Sequence, residues 1–168
     1  MNCKSFKGTI ITIFIALYSI TMASESPVFN VVKMHEDAVV PSKAHATDAG
    51  YDITVISKIK TVGDVDFFGT GISVKPPAGC YTHIYPRSSI SKTGYMLANS
   101  VGIIDMDYQG ELIVALRKID KDAPDMELPC KIGQLVPFIM CRNFDMVEVE
   151  SFEEATERGA GGFGSTGQ

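Results

Sequence analysis

The chain contains no tryptophan and only 4 cysteines in 168 residues. None of the cysteines sits in a CxxC or similar spacing, which excludes the common zinc and dithiol frameworks. Positive charge is also scarce: 15 Lys and Arg stand against 20 Asp and Glu, a net charge of −5. That balance argues against holding nucleic acid by broad phosphate neutralisation. It leaves open a small anionic ligand, which needs only a few local cations. From residue 27 onward, long apolar segments at helical period are missing, and no internal repeat is present.

What is present describes an ordinary globular chain. Hydrophobic residues make up 45% and charged residues 21%, which excludes wholesale disorder. The length fits one domain rather than two. The 15 glycines are unevenly placed, with five in the last ten residues. A folded core with a glycine-rich tail is the expectation.

Residues 1–23 differ from the rest. Lys4 and Lys7 are the only charges, followed by an uncharged Ile-, Phe- and Leu-rich stretch over residues 8–23. This is the layout of a cleaved targeting leader, with Thr21 and Ala23 as the small pair before a cut. Met22 as a second translation start is an equal reading. A membrane anchor is a third, but 16 residues fall short of the roughly 20 that a span needs. Without the leader the 15 basic residues lose Lys4 and Lys7, leaving 13 against 20, or −7. Cys80, Cys130 and Cys141 then remain, an odd number that gives no support to an oxidising compartment.

Short β-rich runs recur at residues 28–32, 51–56, 67–74, 80–85, 111–117, 135–140 and 146–150. Turn residues separate them, including Gly63-Asp64, Pro76-Pro77-Ala78-Gly79, the run 120–125 and Arg142-Asn143. This pattern predicts an all-β sandwich or barrel. Residues 146–150 alternate as a half-exposed strand does. Residues 112–116 are apolar on both faces, which predicts a strand buried on both sides, with another subunit as a candidate cover for one of them. Only residues 88–92 leave room for a helical turn, with serines able to cap it.

Five stretches carry more special residues than a β-scaffold needs. The first, 46–52, places Asp48 and Asp52 four apart, either for a hard cation and its waters or simply for a turn. The second is Tyr85-Pro86-Arg87-Ser88-Ser89, where a guanidinium and two hydroxyls meet a helix start, either a phosphate cradle or a cap. The third, 99–110, reads as a hairpin. There Asp105 follows two isoleucines and is expected to be partly desolvated, hence suited to act as a base. Asn99 offers both a donor and an acceptor, and Tyr108 a flat ring. The fourth is Lys131-Ile132-Gly133-Gln134-Leu135. The fifth, from Arg158, combines glycines that let the backbone approach an anion with Arg158, Phe163, Gly164, Ser165 and Thr166.

In this order and at these separations the five stretches resemble the five motifs of the trimeric deoxyuridine triphosphatases (dUTP pyrophosphatases, or dUTPases). The likeness runs over residues 31–167. It implies a jelly-roll-like β-barrel over residues 24–157 and a C-terminal lid over 158–168, assembled as a homotrimer with sites at the subunit boundaries. It implies hydrolysis of dUTP to dUMP and pyrophosphate, which keeps uracil out of DNA and supplies dUMP for thymidylate synthesis. By the same resemblance Asp105 activates the attacking water, and Arg87, Ser88 and Ser89 hold phosphate oxygens. Gln134 reaches the site from a neighbouring subunit, and Asp52 orients waters on Mg²⁺. Asn99, Gly102, Ile103 and Ile104 read the uracil, and Tyr108 packs under the deoxyribose. Phe163, Gly164, Ser165 and Thr166 close over the substrate with Arg158. Three departures stand out: Ser89 for Gly, Gly133 for Ala, and Gln109 for an Arg common in some branches. A dCTP deaminase of the same fold and a non-catalytic regulatory protein on this scaffold are the alternatives. The substrate implies an intracellular setting (nucleus, cytoplasm or organelle), no direct nucleic-acid partner, and no stable membrane association of the folded domain.

Overall fold

The computed structural model describes residues 27–141, 144–152 and 154–162. The leader 1–23 and the turn at Arg142-Asn143 therefore lie outside the described residues. Ten strands follow in order: β1 (Asn30–Lys33), β2 (Tyr51–Val55), β3 (Ser57–Val62), β4 (Val65–Gly69), β5 (Ile72–Lys75), β6 (Cys80–Pro86), β7 (Tyr95–Leu97), β8 (Gly102–Ile104), β9 (Ile113–Lys118) and β10 (Cys130–Ile139). A single 3-10 turn covers Ser88–Lys92. All pairings are antiparallel. One sheet runs β2-β10-β6-β8, a second runs β3-β4-β9-β7, and β1 pairs with β5. This is the expected all-β, jelly-roll-like barrel.

Alternation explains the core. Successive strand side chains point to opposite faces. Thus Val114 and Leu116 of β9 are buried while Ile113 stays 42% exposed. Ile53, Val55, Ile84 and Leu135 from the first sheet meet Phe68, Leu97, Val114 and Leu116 from the second. Each such side chain contributes about 1.5–3 kcal/mol on full burial.

Several expectations are corrected. Residues 67–74 form two strands, because the chain breaks at Gly71 (φ +66°). A Cβ there would lie 2.8 Å from Ile56 Cδ1 and 2.9 Å from His35 Cβ, so only glycine fits. Within one chain the strand at 113–118 buries one face, which leaves the other for the expected subunit contact. Residues 146–150 form no strand. Their alternation has no sheet edge to meet, and Met146, Val147 and Val149 are 100%, 76% and 58% exposed. β3 escaped the sequence pattern because every residue in it is exposed, so it has no apolar face to announce it. The turn at Ser88–Lys92 is preceded by Arg87, and no side chain caps it.

In the second sheet, Asp66 receives hydrogen bonds from Lys58 (2.7 Å) and Thr61 (2.6 Å). Burial pushes the Asp66 carboxyl up, but these donors outweigh it and hold the group below the usual carboxylate range. Cys80, Cys130 and Cys141 are all unpaired, and burial raises the Cys130 thiol.

Candidate active site

The first cluster forms where β2, β10 and β6 lie side by side. Gln134 of β10 stands opposite Asp52 on one side and Tyr85 on the other. Asp52 Oδ1 lies 2.9 Å from Arg87 Nε, and Oδ2 lies 3.7 Å from Lys131 Nζ. Arg87 Nη1 also donates to the Lys131 carbonyl at 3.3 Å. Gln134 donates from Nε2 to the Pro86 carbonyl at 3.2 Å. A Cβ on Gly50 would approach Gln134 Oε1 to 2.5 Å, so glycine at that position gives the amide its room. The Arg87 backbone is itself tied to β10 by a bond from its N–H to the Ile132 carbonyl, 2.9 Å. Ser88 and Ser89 follow directly and are exposed.

Lys131 was quoted in the sequence but given no role. On a regular strand, residues 131 and 134 would point to opposite faces. A register shift between Lys131 and Gly133 restores them to the same face, beside Asp52. No sequence signal marks that bulge. Gly133 itself lies close to the core: a Cβ there would sit 3.1 Å from Ile53 Cδ1, which accounts for the missing methyl.

The second cluster surrounds β8. Ser100, with φ +60°, closes a tight turn in which Val101 N–H donates to the Asn99 carbonyl at 2.6 Å. Gly102 packs against Ile84: a Cβ on Gly102 would lie 3.2 Å from Ile84 Cβ and 3.5 Å from Asn99 Nδ2. Ile103, Ile104, Asp105, Tyr108, Glu111 and Ile113 line a cleft of about 250 Å³. The Tyr108 hydroxyl donates to the Glu111 carbonyl at 3.0 Å. Two expectations fail here. The segment is not a hairpin, since β8 pairs with β6 while β9 joins the other sheet. Asp105 is exposed rather than partly desolvated, because the neighbouring Ile103 is itself 64% exposed and covers nothing.

The two clusters do not meet within one chain. β8 runs along β6 with Ile104 opposite Thr82, and Asp105 lies one residue further. Arg87 lies five residues beyond Thr82 in the other direction. At the rise of a strand this is a separation of roughly 17 Å or more. Gln134 lies beside Pro86 and Arg87 on the same chain, so these two side chains belong to one cluster. Arg158, exposed, bonds from Nε to the Gly161 carbonyl at 3.1 Å within its own turn. Phe163, Gly164, Ser165 and Thr166 lie outside the described residues. A wider depression of about 610 Å³ borders Ser89 and Lys131 but includes none of the Asp105 group, so size alone does not identify the site.

Comparison with known proteins identifies the family. The dUTPase family model matches residues 36–167. A deoxyuridine 5'-triphosphate nucleotidohydrolase of Nocardia farcinica is 40% identical over 131 residues, covering 76% of this chain and 78% of its own. One from Arabidopsis thaliana is 35% identical over 150 residues, covering 86% of each. Among solved structures, the dUTPase of Staphylococcus bacteriophage 80alpha with dUpNHpp matches with a TM-score of 0.66 at 24% identity, over 84% of this chain and 99% of that one. A dUTPase of phage phi11 of S. aureus, described with a structural Mg(II) ion, matches with a TM-score of 0.61 at 22% identity, over 76% and 99%. The last two support the fold. The family model and the two closely matching sequences establish that this chain belongs to the dUTPase family.

Proposed function

We propose that the chain hydrolyses dUTP to dUMP and pyrophosphate in sites shared between copies of a homotrimer. The observation that carries this reading is the separation of the two clusters. The backbone carrying Arg87 lies roughly 17 Å or more from the backbone carrying the carboxylate able to activate a water. The α-phosphorus must touch both, so the Asp105 cleft of one copy is completed by the Arg87 cluster of another. The exposed apolar side chains over residues 144–152 add to the case, since an isolated chain leaves them in water.

In this reading Asp105 positions and deprotonates the water that attacks the α-phosphorus. General-base catalysis of this kind contributes about 10²–10⁴-fold. Alignment and neutralisation of the triphosphate supply the rest. Arg87 offers a forked donor set, with Ser88, Ser89 and Gln134 beside it. Asn99 and the backbone of Gly102, Ile103 and Ile104 face the uracil, and Tyr108 packs under the sugar and leaves no room for a 2′-hydroxyl. Arg158, Phe163, Gly164, Ser165 and Thr166 act as the lid.

Among the described residues no group of three or more His, Cys, Asp or Glu side chains stands ready for a metal ion. The donor set fits a Mg²⁺ that arrives on the triphosphate, because Asp52, though paired with Arg87 and Lys131, keeps free lone pairs for metal-bound waters. When bound, the ion neutralises phosphate charge. The chain's own residues orient the substrate and move the proton. Among the described residues no helix is long and apolar enough to cross a membrane, and an intracellular setting is the reading that suits the substrate.

A pyrophosphate-release assay across dUTP, dTTP, dCTP and UTP with Mg²⁺ tests the proposal, with dUTP expected to dominate. Ammonia or dUTP formed from dCTP, with no pyrophosphate from dUTP, overturns it in favour of a deaminase. No turnover of any of the four favours the regulatory alternative. Shared sites are tested by co-refolding Arg87→Ala with Asp105→Asn. Turnover should return in the mixture, and a mixture as inactive as its parents rejects the shared site.

A further inference from the structure

Residues 109–112 are stitched to residues 70–73 by side chains as well as backbone. Ser73 Oγ donates to the Gln109 carbonyl at 2.9 Å. The Gly71 N–H donates to Glu111 Oε1 at 2.7 Å. Leu112 N–H donates to the Ile72 carbonyl at 2.8 Å, and Thr70 Oγ1 donates to the Leu112 carbonyl at 2.7 Å. Thr70, Gly71, Ile72, Ser73 and Leu112 are all buried. The Glu111 carboxylate occupies a fitted seat: a Cβ on Gly69 would approach Oε1 to 2.6 Å. Glu111 also reaches the other way. Its carbonyl accepts the Tyr108 hydroxyl, and the Tyr108 ring lies over Gly110, where a Cβ would sit 2.6 Å from Cζ and 3.0 Å from Cε2.

We infer that Glu111 and Gly110 are positioning residues that set the sugar selectivity of the site by fixing the Tyr108 ring against the buried break between β4 and β5. The inference rests on the dUTP reading given above. A wall that rejects a single 2′-hydroxyl works by contact, so it must be held to about half an ångström. A tyrosine on an exposed loop is not held that closely by its own backbone. The chain Gly71 N–H, Glu111, Tyr108 hydroxyl ties the ring to the core, and Gly110 removes the methyl that would push it out. Glu111 needs only an acceptor oxygen for this, so glutamine at 111 serves and alanine does not.

The test uses the full-length chain. Glu111→Ala and Gly110→Ala should each lower the dUTP-over-UTP ratio of kcat/KM by about tenfold or more, since a weakened contact wall discriminates poorly. The fall comes chiefly from improved use of UTP, while kcat for dUTP stays within about threefold because Asp105 keeps its own backbone. Glu111→Gln should restore the ratio to within about twofold of the wild type. A general loss of packing would lower both substrates together and would not be rescued by glutamine. Position is read separately by NMR of ring-labelled tyrosine. The chain has 6 tyrosines, and Tyr108→Phe identifies the Tyr108 signal. That signal should move in Glu111→Ala and Gly110→Ala and hold in Glu111→Gln. An unmoved signal overturns the positioning claim. A moved signal with an unchanged dUTP-over-UTP ratio overturns the selectivity claim. A wild-type protein that hydrolyses neither nucleotide defeats the dUTP reading and the selectivity with it, while the NMR result still decides the positioning.

Discussion

The two halves of the site are built in opposite ways. The cationic half is held by side chains on side chains: Asp52 lies between Arg87 and Lys131, and Gln134 braces the strand end at Pro86. Its ion pair is made entirely by side chains of one chain. The carboxylate half is held by its backbone, with the Tyr108 N–H donating to the Asp105 carbonyl at 3.2 Å, while Asp105 itself stands exposed. The difference follows from chemistry. A phosphate clamp gains from donors that need no reorganisation, whereas a water-activating carboxylate needs access until the substrate is covered. In the proposed shared site, another copy and the segment from Arg158 would cover the exposed Asp105.

The sharpest way to break this comparison is to remove the base while leaving the clamp. Asp105→Asn should lower kcat by about 10²–10⁴-fold, with dUTP affinity by calorimetry close to wild type. Full activity in that variant would remove the assignment. Next is the cover. Ending the chain at residue 157 should reduce turnover by about a hundredfold, as loss of a closing segment does, with the same oligomer by light scattering. A truncated protein as active as the whole would reject the lid.

Smaller effects sharpen the account of the clamp. Asp52→Asn unpairs Arg87 and Lys131 and should weaken dUTP binding by about tenfold, an effect on the scale of one charge-assisted bond. Titrations in low and high salt check it, and unchanged binding would mean that the pair does not order the arginine. The smallest effect is on stability. Asp66 is held below its ordinary range, so its contribution is present above the unfolded carboxylate value and is lost as pH falls through the native one. Asp66→Asn should therefore lower the thermal midpoint near neutral pH and flatten its decline in acid. The cost should be about 1–2 kcal/mol, the scale of a hydrogen bond to a charged group reduced by the solvent screening of Lys58, 43% exposed. An unchanged acid slope would show that Asp66 does not drive it.

Most strands announced themselves as short apolar runs because they supply the core: Ile53 and Val55 in β2, Ile84 in β6, Val114 and Leu116 in β9. β3 left no imprint because it has no buried face. Residues 146–150 misled for the converse reason, since their alternation meets no sheet edge among the described residues of the chain. Arg87, Ser88, Asp105 and Tyr108 stood out because charged, hydroxyl and aromatic groups beside prolines and glycines are unusual in short strands. Lys131 and Glu111 did not. A bulge turns the first toward Asp52, and a contact spanning 40 residues gives the second its role.

The sequence by itself determined the all-β class, the five ordered stretches and the residue types able to handle a triphosphate. These depend on local period and local chemistry. Only the tertiary structure decided which stretches meet. It put Asp52, Arg87 and Gln134 in one cluster and left Asp105 far from them. Strand register, which sets those distances, is fixed by pairing between residues far apart in the chain.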